Sequence, residues 1–534
     1  MRRAAPAGPL WGAAAALAVT TVVAVYGLRE SLATGRLSAP PTYDDVAYLL
    51  SSEAALRAFP HLSLGGKVWQ IVHQHAPLST MLGVIGYLAV PEGDIGPYIA
   101  NSIVLLVYLL GCVVALRRLP AIAIVGVVAA IGALPFIDWS ITEFRPDLAW
   151  GFSTGLAAVS LLTRNLFAAS VPRLVGIGLL AGFALISKPP TCPATASILA
   201  TAFAGSVVLH RIAGDARIRW RSVIRAGAVL AVSALALAGP VYAVIGPNVV
   251  HYIRFVLVDL HDQFALGGGF LFHLLFYASA TGGGRAFGYG LWLIGVFWVA
   301  VVAYAIAFDR RLLARGLAYG LIVLVAYAIP TVLAMKSYFL GGAFYGVLVT
   351  ATVALLAELW PSLDGWRTRY AAGALCAGGV AVLLWTNILT PPAILTRYDP
   401  SVRQDHRDGA ARVWSILRQH AEARSHDTPP GTIYRALVLS PEPISADLIS
   451  LYGLQRGVPI LGISRYYTRN VDELISPLAN NDYVVVTDSA DTQLTGPRLG
   501  NAFKAIMAAR DDFALVGTYA RTNGGTVEVY EKRR

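Results

Sequence analysis

Hydrophobic and polar residues are distributed unevenly along this chain. Apolar runs recur from Leu10 to about Leu389 and then stop, and from about Arg397 onward short apolar stretches alternate with polar ones. A transmembrane helix needs about 20 predominantly apolar residues, and many of the runs approach that length. The pattern therefore predicts a mainly α-helical, polytopic membrane domain in residues 1–396, followed by a soluble domain in residues 397–534.

Eleven of the apolar runs are predicted to cross the membrane. One further run, residues 77–90, is short and is followed by the polar stretch PEGDIGP, so we expect it to be re-entrant or interfacial. The predicted crossings are residues 10–28, 98–116, 121–137, 148–162, 174–187, 194–209, 226–245, 287–308, 316–335, 339–358 and 371–389.

The distribution of arginines sets the predicted orientation, because Lys and Arg concentrate in the cytoplasmic loops of membrane proteins. If residues 77–90 do not cross, the arginine clusters all fall on the side of Arg2 and Arg3. If residues 77–90 did cross the membrane, every later arginine cluster would face outward. We therefore expect a cytoplasmic N-terminus, an uncleaved first helix rather than a signal peptide, and an extracytoplasmic C-terminal domain. The arginines placed inside are Arg117, Arg118, Arg164, Arg173, Arg211, Arg217, Arg219, Arg221, Arg225, Arg310, Arg311, Arg315, Arg367 and Arg369.

Composition agrees with a membrane protein. The hydrophobic share is 56%, the charged share is 14% and the mean hydropathy is +0.60, whereas about 25% of residues are charged in an average soluble domain. The net charge of +11 would suit nucleic acid, but cytoplasmic arginines explain it without such a partner. Cys112, Cys192 and Cys376 form neither a metal-binding pattern nor a disulfide framework.

The predicted outer face carries an adjacent pair of acids, Asp44 and Asp45, at the start of an amphipathic stretch in residues 41–58. Ionisable groups beside hydrocarbon are expensive to keep, which makes them functional candidates. The alternative is helix capping, because Thr42 followed three residues later by Asp45 has the form of a capping box. Capping needs only one of the two acids, so we predict that Asp44 is catalytic.

Several basic groups are predicted to share that face. An outward-facing Arg, Lys or protonated His suits the binding of a phosphodiester, and His75 precedes Pro77 where the chain returns to the membrane. For each residue there is a simpler alternative, namely an interfacial histidine, an ion pair between Arg145 and Asp147, or a snorkelling lysine. The candidate phosphate-binding residues are His75, Arg145, Lys188 and Lys336.

Four motifs occur in order along the first 190 residues: TYDDVAYL, QHAPLSTML, TEFRPDLAW and ISKPPT. In sequence and spacing they resemble the membrane-embedded GT-C glycosyltransferases, particularly the branch that contains protein O-mannosyltransferases and lipid A aminoarabinose transferases. The remaining crossings resemble that family only in topology.

The resemblance implies a glycosyltransferase of cell-envelope glycan biosynthesis in the bacterial cytoplasmic membrane. It would move a sugar from a polyprenyl-phosphate donor to a glycan, lipid or protein acceptor outside, with inversion at C1. Asp44 takes the family's catalytic place, Asp45 replaces a glutamate and Asp147 takes the second acidic place, so the resemblance implies that these three acids are catalytic. His75 takes the basic place. Two departures, Ala76 for a proline and Ala47 for an arginine found in some members, shift the predicted donor binding toward Arg145, Lys188 or Lys336.

The outer loop predicted at residues 246–286 contains an interfacial helix, residues 251–264, and an apolar segment that is predicted to be a lid or a re-entrant hairpin. The cluster of Asp259, His261 and Asp262 is a weak candidate for a metal site, and a divalent cation is the one cofactor that the sequence leaves open. In the tail, short apolar strands alternate with helical stretches, which predicts a small α/β domain. It has no glycine-rich phosphate loop.

Two other classes of protein share part of this pattern. A transporter or flippase for a lipid-linked saccharide would also place charges in the membrane, but it should show paired repeats and broken helices at mid-membrane. A non-catalytic cell-envelope assembly protein would not need the pair of acids.

Overall fold

The computed structural model describes most of the chain. The described residues are 8–58, 63–74, 76–162, 166–212, 219–259, 261, 265–362, 365–389, 398–429, 431–439, 444–464, 472–487, 496–522 and 525–533.

The membrane domain is built of helices joined by short turns. In chain order the helices are α1 (Gly8–Thr34), α2 (Asp44–Glu53), α3 (Leu64–Val72), α4 (Pro77–Ala89), α5 (Ile95–Ala115), α6 (Ala121–Gly132), α7 (Pro135–Thr142), α8 (Asp147–Leu161), α9 (Val171–Ser187), α10 (Cys192–Ile212), α11 (Trp220–Arg254), α12 (Phe270–Leu275), α13 (Gly290–Phe308), α14 (Arg310–Val332), α15 (Gly342–Leu359) and α16 (Gly365–Leu384).

The predicted count of eleven membrane crossings is not confirmed by helix length and composition. Within the described ranges, seven helices are long and apolar enough to span a bilayer, namely α1, α5, α10, α11, α13, α14 and α15, and the pair α6 and α7, bent by 60°, would make eight. Helices α8 and α9 have 15 and 17 residues, or about 23 and 26 Å at 1.5 Å per residue, which is less than the ~30 Å hydrocarbon core. The polytopic helical class is confirmed, whereas the count of eleven is not.

Two other boundaries differ from the prediction. Helix α11 does not end at residue 245 but continues through Pro247 to Arg254, so the predicted interfacial helix at 251–264 is in part the end of a 35-residue helix. The apolar helix α4 has 13 residues, about 20 Å. Its length agrees with a segment that does not span the bilayer by itself.

Close glycine contacts hold α8 against α15. A Cβ atom on Gly151 would lie 2.2 Å from the carbonyl oxygen of Gly342, and one on Gly346 would lie 2.0 Å from that of Gly151. Small residues spaced four apart allow helix backbones to approach in this way in membranes. The contact fixes the N-terminal end of α8, which carries Asp147.

The C-terminal part forms the predicted α/β domain. Its helices are α17 (Pro400–Ser425), α18 (Ala446–Arg456), α19 (Asp472–Ile475) and α20 (Gly496–Ala508), and its strands are β1 (Tyr434–Leu439), β2 (Ile460–Ser464), β3 (Tyr483–Thr487), β4 (Phe513–Ala520) and β5 (Thr526–Lys532). The sheet order is β2-β1-β3-β5-β4, with β1 parallel to β2 and β3, and with β5 antiparallel to β3 and β4.

This domain contacts the loop that follows α1. Helix α18 packs on α2, and its Leu448 and Leu451 belong to the same buried core as Val46 of α2. The Arg407 Nε on α17 donates to the carbonyl oxygen of Ser38 at 2.5 Å, and Gln455 Nε2 donates to Asp94 Oδ1 at 2.6 Å. The soluble domain therefore supports the segment that carries the paired acids.

Candidate active site

A turn at Tyr43 places the paired acids. Helix α1 ends at Thr34 and α2 begins at Asp44, with Tyr43 as the capping residue at φ 53° and ψ −140°. For a residue with a side chain this conformation is strained by about 1–3 kcal/mol. No side-chain hydrogen bond from the N-cap residue Tyr43 caps the first turn of α2, so the capping box of Thr42 and Asp45, the alternative considered above, does not form. The helix starts at Asp44, one residue later than that motif requires.

The two adjacent carboxylates have different surroundings. The side chain of Asp44 is 57% exposed, whereas that of Asp45 is fully buried. Burial explains why Asp45 is surrounded by polar partners, because an unpaired buried charge would be strongly unfavourable. Asp44 is therefore the member of the pair that is accessible from outside the protein.

Arg36 is the main partner of Asp45. Its Nε lies 3.2 Å from Asp45 Oδ2, its Nη1 lies 2.7 Å from Glu143 Oε1, and its Nη2 donates to the Thr42 carbonyl at 2.8 Å. The Tyr98 hydroxyl donates to Asp45 Oδ2 at 3.1 Å. This buried guanidinium ties the loop before α2 to the end of α7.

Arg145 connects the exposed acid to the buried ones. Its Nη1 lies 3.1 Å from Asp44 Oδ2, while its Nε lies 3.2 Å from Glu143 Oε2 and 3.7 Å from Asp45 Oδ1. The guanidinium also stacks on the ring of Phe339, with 4.3 Å between its central carbon and the ring centroid. The ion pair that the sequence offered as an alternative, Arg145 with Asp147, is replaced by pairs with these other acids.

The cluster contains one more carboxylate than guanidinium, since Asp44, Asp45 and Glu143 surround Arg36 and Arg145. Burial raises the pKa of Asp45 to about 6, with Glu143 acting in the same direction and Arg36 opposing both. Burial acts to lower the pKa of Arg145, but the neighbouring carboxylates outweigh it and raise that pKa. Asp45 is therefore the member of the cluster whose ionisation the fold penalises.

A second ion pair, between Lys188 and Asp147, lies near the ring of Phe339. Lys188 Nζ donates to Asp147 Oδ1 at 2.5 Å, and it lies 5.7 Å from the centroid of Phe339 and 5.3 Å from that of Trp150. Asp147 is the first residue of α8 and is buried. Lys188 therefore shares the Phe339 ring with Arg145, and Asp147 is joined to Lys188 by this ion pair.

Lys336 has a different environment from the one predicted. Its Nζ donates to the backbone carbonyls of Pro330, Thr331 and Leu333 at 2.9, 2.7 and 2.5 Å, which are the acceptors left open at the end of α14. Burial lowers its pKa. All three ammonium protons are used in capping this helix, so we leave Lys336 out of the proposed phosphate-binding set.

Two predicted site residues, His75 and Asp262, lie outside the described residues. Over the ranges that the structure does describe, no group of three or more His, Cys, Asp or Glu side chains could hold a metal ion. Asp259 and His261 are therefore not part of such a group there.

Arg36 and Glu143 are the site residues that the sequence-based selection missed. Arg36 is eight residues before Asp44 in the sequence. No local sequence pattern indicates that the loop containing Arg36 folds back onto α2. Glu143 lies within the motif TEFRPDLAW, but no role was predicted for it. Its backbone carbonyl is held by Asn101 Nδ2 at 3.2 Å, and its Oε1 accepts from the Tyr338 hydroxyl at 3.2 Å. The available signal for Arg36 was the neighbouring pair of acids, because a buried carboxylate needs a cation nearby.

Many apolar helices, a paired-acid loop after the first helix and a C-terminal α/β domain define a polytopic membrane protein with the GT-C fold. Two solved structures with this fold, both of ArnT from Cupriavidus metallidurans, a lipid A aminoarabinose transferase, are similar to the chain. The apo form has a TM-score of 0.54 at 14% sequence identity, covering 96% of this chain and 97% of that chain. The form bound to undecaprenyl phosphate has a TM-score of 0.52 at 13% identity, with the same coverage.

No family model and no curated protein matches the chain. Since the sequence identity to ArnT is low, the similarity establishes the fold, and it confirms the fold that the four sequence motifs implied.

Proposed function

We propose that this protein is a glycosyltransferase that moves a sugar from a polyprenyl-phosphate donor to an acceptor hydroxyl at the outer face of the bacterial cytoplasmic membrane. The observation that carries the proposal is the position of Asp44. It is an exposed carboxylate on a strained turn, 3.1 Å from a buried guanidinium. An acid presented in this way suits an acceptor, and the adjacent cation suits a leaving phosphate.

The proposed step forms one bond and breaks one. The acceptor oxygen attacks C1 of the sugar, its proton passes to Asp44, and the bond from C1 to the phosphate oxygen breaks, so that polyprenyl phosphate leaves with the bonding electrons. Attack opposite the leaving group inverts C1. A carboxylate is a weak base for a hydroxyl, so most of the acceleration would come from placement of the reactants and from charge stabilisation.

The donor phosphate is proposed to bind at Arg145 and Lys188, which face the common ring of Phe339. His75 remains a prediction for the same role. The similarity of the fold to an ArnT structure bound to undecaprenyl phosphate supports a lipid of this class. Its hydrocarbon tail would remain in the bilayer throughout the reaction, which accounts for an enzyme embedded among apolar helices.

The two other acids are given positioning roles. Asp45 is fully buried and holds Arg36, so it shapes the turn below Asp44 without touching the acceptor. Asp147 holds the ammonium group of Lys188. Both had been predicted as catalytic, but their buried positions favour an indirect contribution through these two cations.

The proposed orientation places the N-terminus in the cytoplasm and the α/β domain outside. It rests on the arginine distribution described above. A reporter fused after Arg118 is expected to be cytoplasmic, and one fused after Arg534 is expected to be extracytoplasmic. The opposite pattern would contradict the orientation and place Asp44 on the inner side.

The decisive experiment for the proposed activity uses purified protein in proteoliposomes with radiolabelled polyprenyl-phosphate sugars and a cell-envelope extract as acceptor. We expect the label to move to the acceptor and polyprenyl phosphate to be released. A flippase would move the intact donor across the bilayer without breaking the bond between sugar and phosphate. Translocation without cleavage would therefore overturn the proposal.

A further inference from the structure

The guanidinium of Arg145 has a buried end and an accessible end. Its Nε faces Glu143 and Asp45, which are 2% and 0% exposed, while its Nη1 faces Asp44, which is 57% exposed. If a buried carboxylate left Arg145, it would have to remain desolvated without that partner. Asp44 can instead move into water. It is therefore the partner of Arg145 that can be exchanged.

The charges around Arg145 disfavour the binding of an additional anion. Three carboxylates already share two guanidiniums in this cluster. A phosphodiester that approached Nη1 with Asp44 still in place would bring a fourth negative charge to the same two cations. Like charges at such distances repel strongly in a partly buried site, so the entry of a phosphate and the departure of Asp44 are coupled.

We propose that the donor phosphate replaces Asp44 on Arg145 Nη1, and that this exchange releases the Asp44 carboxylate to the acceptor hydroxyl. The inference rests on the proposed function and adds to it the order in which the donor and the acceptor are engaged. Asp44 is masked by an ion pair in the empty enzyme and becomes available only after the lipid-linked donor has bound. The donor thus binds first and prepares the group that activates the acceptor.

Two features of the structure suit this exchange. Arg145 is held on its other side by the Phe339 ring and at Nε by Glu143, so it stays in place when Asp44 leaves. Asp44 directly follows the strained turn at Tyr43, whose φ is 53°. The side chain of Asp44 is exposed, so it can turn into water while the buried ion pairs that hold this turn stay in place.

The test is a binding titration of full-length protein in nanodiscs with undecaprenyl phosphate, followed by intrinsic tryptophan fluorescence at pH 7.5. If Asp44 competes with the phosphate, the variant Asp44→Asn should bind the lipid about three- to tenfold more tightly than the wild type, because the competing ion pair is weakened. The same variant should have lost sugar transfer. Tighter binding of this lipid phosphate together with lost transfer is not the result that a misfolded site would give.

Two control variants separate local competition from a general charge effect. Asp45→Asn removes the adjacent negative charge but leaves Nη1 paired with Asp44, and it should tighten binding less than Asp44→Asn. Glu92→Gln removes an exposed charge in the loop before α5 and should leave affinity unchanged. If Asp44→Asn binds equally or more weakly than the wild type, or if both Asn variants tighten binding equally, the exchange is refuted. If neither the wild type nor any variant binds undecaprenyl phosphate, the proposed function itself fails.

Discussion

The Asp45 carboxylate lies 3.2 Å from Nε of Arg36 in a fully buried ion pair. This contact joins the loop after α1 to the first turn of α2. It separates the roles of two acids that are neighbours in the sequence, because Asp45 is used to fix the loop while Asp44 points outward. The stability of the site and its chemistry should therefore respond to different substitutions.

Arg36→Ala should destabilise the protein strongly. The change leaves Asp45 and Glu143 buried with Arg145 as the only guanidinium of the cluster, and breaking a buried pair from one side typically costs about 3–5 kcal/mol. Arg418→Ala is the matched control, since Arg418 and its partner Glu422 are about half exposed, at 49% and 59%, and it should change stability by less than about 1 kcal/mol. Thermal unfolding of both variants in the same nanodiscs checks this, and equal melting temperatures would contradict the structural role of Arg36.

The stability of the wild type relative to Asp45→Asn should fall as pH rises from about 4 to 7. Burial raises the pKa of Asp45 to about 6, above its unfolded value of about 3.9. Between these two values the folded state binds more protons than the unfolded state, so the contribution of Asp45 is fully present below about pH 4 and is lost as pH rises through about 6.

The Asn variant is neutral at every pH and provides the reference. The difference in unfolding free energy between the two proteins should decrease by about 3 kcal/mol across this range. It is measured by denaturant unfolding at several pH values. A difference that stays constant or grows with pH would show that the ionised form of Asp45 is not penalised by the fold.

Gly151→Ala should separate α8 from α15. The new Cβ would lie 2.2 Å from the carbonyl oxygen of Gly342, and overpacking of this kind destabilises by about 1–3 kcal/mol. Because Asp147 lies one turn away on α8, sugar transfer should fall as well. Gly176→Ala is the control in a helix where a Cβ meets nothing within 4 Å, and it should be neutral or stabilising. Similar behaviour of the two variants would mean that the close helix contact is not needed.

Much of the architecture followed from the sequence because its signals are strong. Apolar run length predicted the membrane helices, alternating short strands predicted the tail domain, and the order of four motifs implied the fold that the structure has. The count of eleven crossings is not confirmed, because helices such as α8, which has 15 residues and packs against α15, are shorter than a helix that spans the bilayer by itself.

The details of the site were harder to predict because they depend on where individual helices begin and end. A start at Asp44 rather than one residue earlier, at Tyr43, places Asp44 at an exposed position and Asp45 at a buried one, and no residue pattern fixed that start. The end of α14 at Val332 lets Lys336 fold back onto three carbonyls, whereas the sequence showed only a lysine beside an apolar run. Arg36 was missed because its contacts are made across the fold.

The central claim is that Asp44 accepts the proton of the acceptor hydroxyl, and the most direct test is the rate of sugar transfer by Asp44→Asn at saturating donor. We expect the turnover number to fall about 10²- to 10⁴-fold, with thermal stability close to that of the wild type because the side chain is exposed. Glu92→Gln, with the same change of charge, should retain full activity. Undiminished transfer by Asp44→Asn would contradict the account.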